Sequence, residues 1–153
     1  MFLLDANVLI YAFRRDSPFH EPCYAWLRTA LAGDEPVATT GLVELAFLRI
    51  TSLPSLGKAA SPPGNAFEFL SALRRNPIAV RIEPGRAHDE ILARLCAQFR
   101  LRGNDINDAY LAALALEHDA ALVTTDQDFR RFPDLPLFSL PVFGSIARLR
   151  RSS

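Results

Sequence analysis

The chain has 153 residues, 17 basic and 17 acidic; half are hydrophobic and 22% charged, the make-up of one globular domain that buries about two-thirds of its unfolded surface. A formal net charge of zero excludes a globally basic nucleic-acid coat protein, but not an enzyme that handles nucleic acid at one cleft. No apolar run approaches the roughly 18 residues of a membrane span.

The apolar start lacks the basic residues of a secretory signal and is interrupted at Asp5. Cys23 and Cys96 match no zinc or redox spacing, so reduced thiols in a cytoplasmic protein are expected. Lys58 is the only lysine among the 17 basic residues. Arginine suits planar phosphate contacts, and a GC-rich genome gives the same bias.

In chain order, Phe2–Leu4 is a short apolar run that reads as a buried strand, and Ala6–Phe13 as a helix with Asp5 placed to cap it. After a polar turn at 14–18, His20–Leu31 is an amphipathic helix with Cys23, Trp26, Leu27 and Ala30 on one stripe. Val37–Thr39 is a second strand. The next helix begins at Thr40 or Gly41 and runs through Leu42–Thr51, apolar except for Glu44 and Arg49. Leu53–Gly64 holds three prolines and two glycines and reads as a loop. A helix over Asn65–Arg75, a strand over Ala79–Ile82 and a helix over Arg86–Arg100 come next. Asp105–His118 is then a helix and Ala121–Thr125 a strand; Phe129–Pro136 is a turn region and Leu137–Leu140 an edge strand. Residues 1–143 form a single domain on this reading, and 144–153, with Arg148, Arg150 and Arg151, are a basic tail or an added extension. Short apolar strands alternating with helices give an α/β fold, a mostly parallel central sheet of about four or five strands flanked by α-helices. Ligands of such sheets bind just outside the carboxyl ends of the strands.

Four acids are placed for that edge. Asp5 ends the first strand, Asp126 follows the strand over Leu122–Thr125, and Glu44 and Asp108 each lie in the first turn of a helix. Each also has a plain structural use. Asp5 can cap its helix, and Glu44 can close a capping box with Thr40 or Gly41. Asp105 and Asp108 suit the helix dipole, and Asp126 suits an Asx-turn. Gathered at one edge, however, the four would raise one another's pKa values unless a cation lay among them. An oxygen-only donor set favours Mg²⁺ or Mn²⁺ over zinc, and a metal-bound water can attack a phosphodiester.

Residues 4–12 (LDANVLIYA), Glu44 in GLVELAFLRI, Gly103–Asn104 through NDAYLAALA, and LVTTDQDF at 122–129 carry a family likeness. In that order, over about residues 1–143, the chain resembles the PIN-domain ribonucleases, in particular the VapC toxins of bacterial toxin–antitoxin modules. The resemblance implies an endoribonuclease that leaves a 5′-phosphate and a 3′-hydroxyl. It assigns catalysis to Asp5, Glu44, Asp108 and Asp126, metal binding to Asp5, Asp108 and Asp126, and Mg²⁺ as cofactor with Mn²⁺ as substitute. Glu44 would orient or deprotonate the attacking water. Asn7 either orients Asp5 or simply starts its helix. Asp105 departs from the family pattern and is auxiliary or incidental, Asp128 fixes the turn or an outer water, and Thr125 is a better support for the site than Thr124, a strand residue.

Arg14, Arg15, Arg49, Arg130 and Arg131 either contact RNA phosphates or are solvated, and Arg49 either pairs with an acid or meets the antitoxin. The implied partners are an RNA substrate of the tRNA or rRNA class, a cognate VapB-like antitoxin and a second copy in a homodimer, within a higher-order toxin–antitoxin complex and without a membrane. The apolar surface of the second and third helices is the candidate antitoxin groove. The alternatives are a housekeeping PIN-domain RNA-processing nuclease and a catalytically silent PIN-like interaction module. A phosphoaspartyl receiver would need a second acid where Ala6 stands and a lysine near the last strand.

Overall fold

Five short strands, β1 (Phe2–Leu4), β2 (Val37–Thr39), β3 (Ala79–Arg81), β4 (Ala121–Thr124) and β5 (Leu137–Ser139), pair in the order β3-β2-β1-β4-β5 in a computed structural model that describes residues 1–140. The expected tail at 144–153 lies outside the described residues. Every pairing is parallel, which forces a crossover between successive strands. Six helices supply the first three crossovers, α1 (Ala6–Phe13), α2 (His20–Leu31), α3 (Gly41–Thr51), α4 (Pro63–Arg74), α5 (His88–Phe99) and α6 (Asp105–Glu117), and a 3-10 turn lies in the fourth, from β4 to β5. The central strands β1, β2 and β4 are almost wholly buried, whereas β3 and β5 are half-open edges. This gradient explains why apolar runs such as Leu122–Val123 carry no alternation.

Burial also accounts for α6. Ala109 and Leu111–Ala115 are all buried, as a helix that is apolar all round must be, and its alanines and leucines are strong helix formers. It packs beside α5, while α1 packs on α2 and α3. Phe13, Phe47 and Phe69 meet edge-on and tilted among α1, α3 and α4.

The stretch read as a loop differs in detail. Pro54–Ala59 forms a 3-10 segment kinked at Gly57, where φ is 56°, and Pro63 opens α4. Proline's fixed φ and missing N–H suit a first helical position, so these prolines start elements as well as end them. Helix α5 begins at His88, two residues later than expected, because the Glu117 carboxylate accepts the amides of Gly85, Ala87 and His88 at 2.8, 2.9 and 3.1 Å. β1 continues to β2 on one side and β4 to β5 on the other, so the order reverses between β1 and β4. That switch point opens the crevice in which the site is built.

Candidate active site

At the switch point the ends of β1 and β4 run side by side, and the Asp5 amide donates to the Val123 carbonyl at 3.0 Å. Asp5 stands at the N-cap of α1 without capping it; its 9% exposed side chain instead accepts the Thr124 hydroxyl at 2.7 Å. The same hydroxyl oxygen accepts the Asp126 amide at 2.9 Å. One threonine therefore ties the acid of β1 to the backbone of the acid after β4. Asp126 Oδ1 in turn accepts the Asp128 amide at 2.9 Å, the Asx-turn expected of it, and this opens the 3-10 turn Gln127–Arg131.

Asp108, in the first turn of α6, faces the same crevice. A cavity of about 110 Å³ lies against Asp5 and Asp108, walled by Leu42, Val43, Leu111 and Phe129. Arg131 reaches in from the 3-10 turn: one guanidinium nitrogen lies 2.6 Å from Asp108 Oδ2 and another 3.2 Å from Asp105 Oδ1.

Burial pushes the Asp5 carboxyl above its ordinary value, against the Thr124 hydrogen bond and the amides of Ala6 and Asn7, with the charge of Asp126 pushing the same way. Asp108 is raised to about 6, by burial first; Arg131 opposes the rise, and Asp126, Asp5 and Asp105 add to it. These acids bear on one another electrostatically. The Tyr11 phenol is raised too, by burial first and then by Cys23, Asp5 and Asp126, which places its ring within the field of the cleft. Sequence reading passed over Tyr11, although it lies one helical turn beyond Asn7 on α1.

The other expected residues divide. Glu44 is buried but closes no capping box. Its carboxylate accepts Thr39 Oγ1 at 2.9 Å and Arg74 Nη2 at 2.5 Å, with Arg81 at 3.6 Å. The acids that bear most on Asp108 are Asp126, Asp5 and Asp105, and Glu44 is not among them. Asn7 makes no side-chain hydrogen bond among the described residues and stands in the first turn of α1, the second of its two expected uses; Thr124 bonds Asp5 instead. The preference for Thr125 over Thr124 is therefore reversed, because Thr124 bonds both Asp5 and the Asp126 amide. Asp128 contributes its amide to the turn rather than its carboxylate.

Among the arginines, Arg14 pairs with Asp16, Arg49 and Arg130 are exposed, and Arg15 borders an open cavity between α1 and α2. Arg131 points at acids, not outward. The apolar groove on α2 is closed by α4, not α3: Tyr24, Leu27, Leu31, Phe69 and Leu73 line it.

The donor chemistry, three oxygen-only carboxylates at a strand-end crevice, suits a hydrated Mg²⁺ or Mn²⁺ ion. Among the described residues, no three acidic, histidine or cysteine side chains close on one point as a ready-made cage, so such an ion would be held partly through water.

Comparison with known proteins gives the family. The model of the PIN domain matches residues 2–135. The chain belongs to the PIN-domain family. Curated relatives place it among the VapC ribonucleases. Ribonuclease VapC25 of Mycobacterium tuberculosis is 37% identical over 142 residues, covering 93% of this chain and all of the relative. Ribonuclease VapC31 of the same species is 40% identical over 132 residues, covering 86% and 93%. VapBC2 from Rickettsia felis, solved bound to a DNA fragment from its promoter, superposes with a TM-score of 0.69 at 18% identity over 91% of this chain and 98% of that one. Asp5, Asp108, Asp126 and Arg131 all lie inside the PIN match; β5 lies just beyond it. Among the described residues no helix is long and apolar enough to cross a membrane.

Proposed function

We propose that this PIN-domain protein is the toxin of a toxin–antitoxin pair, an endoribonuclease that depends on Mg²⁺ or Mn²⁺ and works at the crevice between β1 and β4. The observation that carries the reading is the pair Asp5 and Asp126, joined through Thr124 and facing Asp108, in a chain up to 40% identical to curated ribonucleases. In this reading Asp5, Asp108 and Asp126 hold the metal, directly or through water. When bound, the ion supplies Lewis acidity and an acidified water.

The chain's own residues set the stage for that chemistry. Thr124 fixes the rotamer of Asp5, Leu42, Val43, Leu111 and Phe129 line the crevice with apolar surface, and exposed Arg15 offers a phosphate contact. Glu44 enters the reaction by exchanging Arg74 and Arg81 for water; in the arrangement described it anchors those two arginines.

Solved structures such as VapBC-1 from nontypeable Haemophilus influenzae and the toxin–antitoxin complex from Klebsiella pneumoniae share the fold. They support a VapB-like antitoxin as partner, and the α2–α4 groove is the proposed seat for it. A homodimer is proposed as the form that binds it, and structured RNA of the tRNA or rRNA class as substrate, recognised through loop shape.

The test uses purified protein, freed of antitoxin, with Mg²⁺ and structured RNA. Cleavage is expected to need the ion and to fall by about a hundredfold or more in Asp5→Asn and Asp108→Asn. Cleavage that persists unchanged in both variants overturns the assignment and points to a contaminating nuclease.

A further inference from the structure

Among the described residues, Arg131 joins two carboxylates to an aromatic ring. Its guanidinium bridges Asp105 and Asp108, stands 5.2 Å from the ring centre of Phe132, and has a buried Nε with no partner among the described residues. Phe132 is itself almost fully buried and packed edge-on against Phe99, so the cation rests on a fixed ring. Arg131 also ends the 3-10 turn that Asp126 begins. One short segment thus delivers both an acid and a cation to the cleft. A guanidinium that leaves one buried donor unpaired while taking two carboxylates is placed for charge rather than for complete hydrogen bonding.

We propose that Arg131 is the resident counter-ion of the acidic cleft: it holds Asp108 against Asp105 in the ion-free protein, and a divalent ion binds by displacing that guanidinium from Asp108. The inference rests on the reading of Asp5, Asp108 and Asp126 as the ion-binding set. It accounts for one Asp108 oxygen and one Asp105 oxygen being taken by the same guanidinium at the crevice. Its consequence is a weak site. The charge that keeps the ion-free cleft stable competes with the ion, so RNA cleavage tracks the free Mg²⁺ concentration instead of saturating early. Arg131 acts through Asp108 and is a positioning residue.

The experiment is a Mn²⁺ titration monitored by electron paramagnetic resonance, on full-length wild type, Arg131→Gln, Asp5→Asn and Arg130→Gln. It is run at pH 8, above the Asp108 value of about 6. Arg131→Gln is expected to bind Mn²⁺ about tenfold more tightly and to melt at a lower temperature without the ion, a loss that Mn²⁺ restores. Arg130→Gln, which removes the same charge one residue away, is expected to stay within about twofold of wild type. Equal or weaker affinity in Arg131→Gln, with wild type binding and Asp5→Asn impaired, overturns the counter-ion role and leaves the site assignment standing. If wild type binds no Mn²⁺, or Asp5→Asn binds as well as wild type, the site assignment falls and this inference with it. Should Arg131→Gln not fold, Arg131→Lys decides. It keeps the charge but loses the planar fork that spans two carboxylates, so tighter binding than wild type is expected and equal or weaker binding overturns the proposal.

Discussion

Thr124 Oγ1 lies 2.7 Å from Asp5 Oδ2 and 2.9 Å from the Asp126 amide, so one buried hydroxyl serves two acids. Thr124→Val keeps the shape and removes both bonds; it is expected to cost about 1–2 kcal/mol of stability and about tenfold or more in RNA cleavage through misplacement of Asp5. Thr124→Ser should recover most of both, measured by urea unfolding and initial rates. The acids make a second prediction. Asp5 and Asp108 are raised, Asp108 to about 6, and only their ionised forms hold a cation. Cleavage at fixed Mg²⁺ should therefore climb as pH rises through about 6, the value of Asp108.

Stability of the ion-free protein should run the other way. A carboxyl raised in the folded state favours folding while it is protonated. That contribution is fully present below the unfolded value near 4 and is lost as pH rises through about 6, on the order of 3 kcal/mol for Asp108. Melting curves between pH 4 and 8 in chelator would show it, and a flat profile would contradict the burial of these groups.

Between elements, Glu44 of α3, Arg74 of α4 and Arg81 of β3 form a junction that local sequence does not reveal. Arg74→Ala leaves a buried carboxylate with Thr39 and the more distant Arg81. Because Arg74 is 46% exposed, water softens the loss to about 1–2 kcal/mol, and Glu44→Leu in the same chain should return part of it. A double-mutant cycle in urea measures the coupling. The same junction marks the limit of what a linear sequence reveals. The strands and most helices emerge from unbroken apolar runs such as Leu122–Val123 and from the uncharged length of α6, so element order was legible. The prolines at 54, 62 and 63 read only as breakers, because their second use, starting a helix, depends on the residues C-terminal to them. Asp5 and Asp126 could be placed from the strand-end rule, and Asp108 from its position in the first turn of a helix. Their partners could not: Arg74 lies 30 positions from Glu44, Arg131 lies 23 from Asp108 and Thr124 lies 119 from Asp5. Only the folded chain chooses between such arginines, or between Thr124 and Thr125.

For the whole molecule, ligand linkage gives a global readout of the proposed site. Mn²⁺ at about a hundred times its Kd should raise the melting temperature by roughly 5–10 °C at pH 8, and the rise should vanish in Asp5→Asn. An equal rise in that variant would place the ion elsewhere.

The pairing of β1 with β4 has a consequence in time. The acids that meet at the crevice come from the first and fourth strands, and the hydroxyl that links them is 119 positions from Asp5. During synthesis at about 5–20 residues per second, Asp5 waits roughly 6–24 s before its neighbour exists. Throughout that interval the growing polypeptide carries Asp5 without the crevice, and long-range pairing of this kind also forms late in folding. A ribosome making this protein therefore carries Asp5 through most of the described residues before the crevice can form.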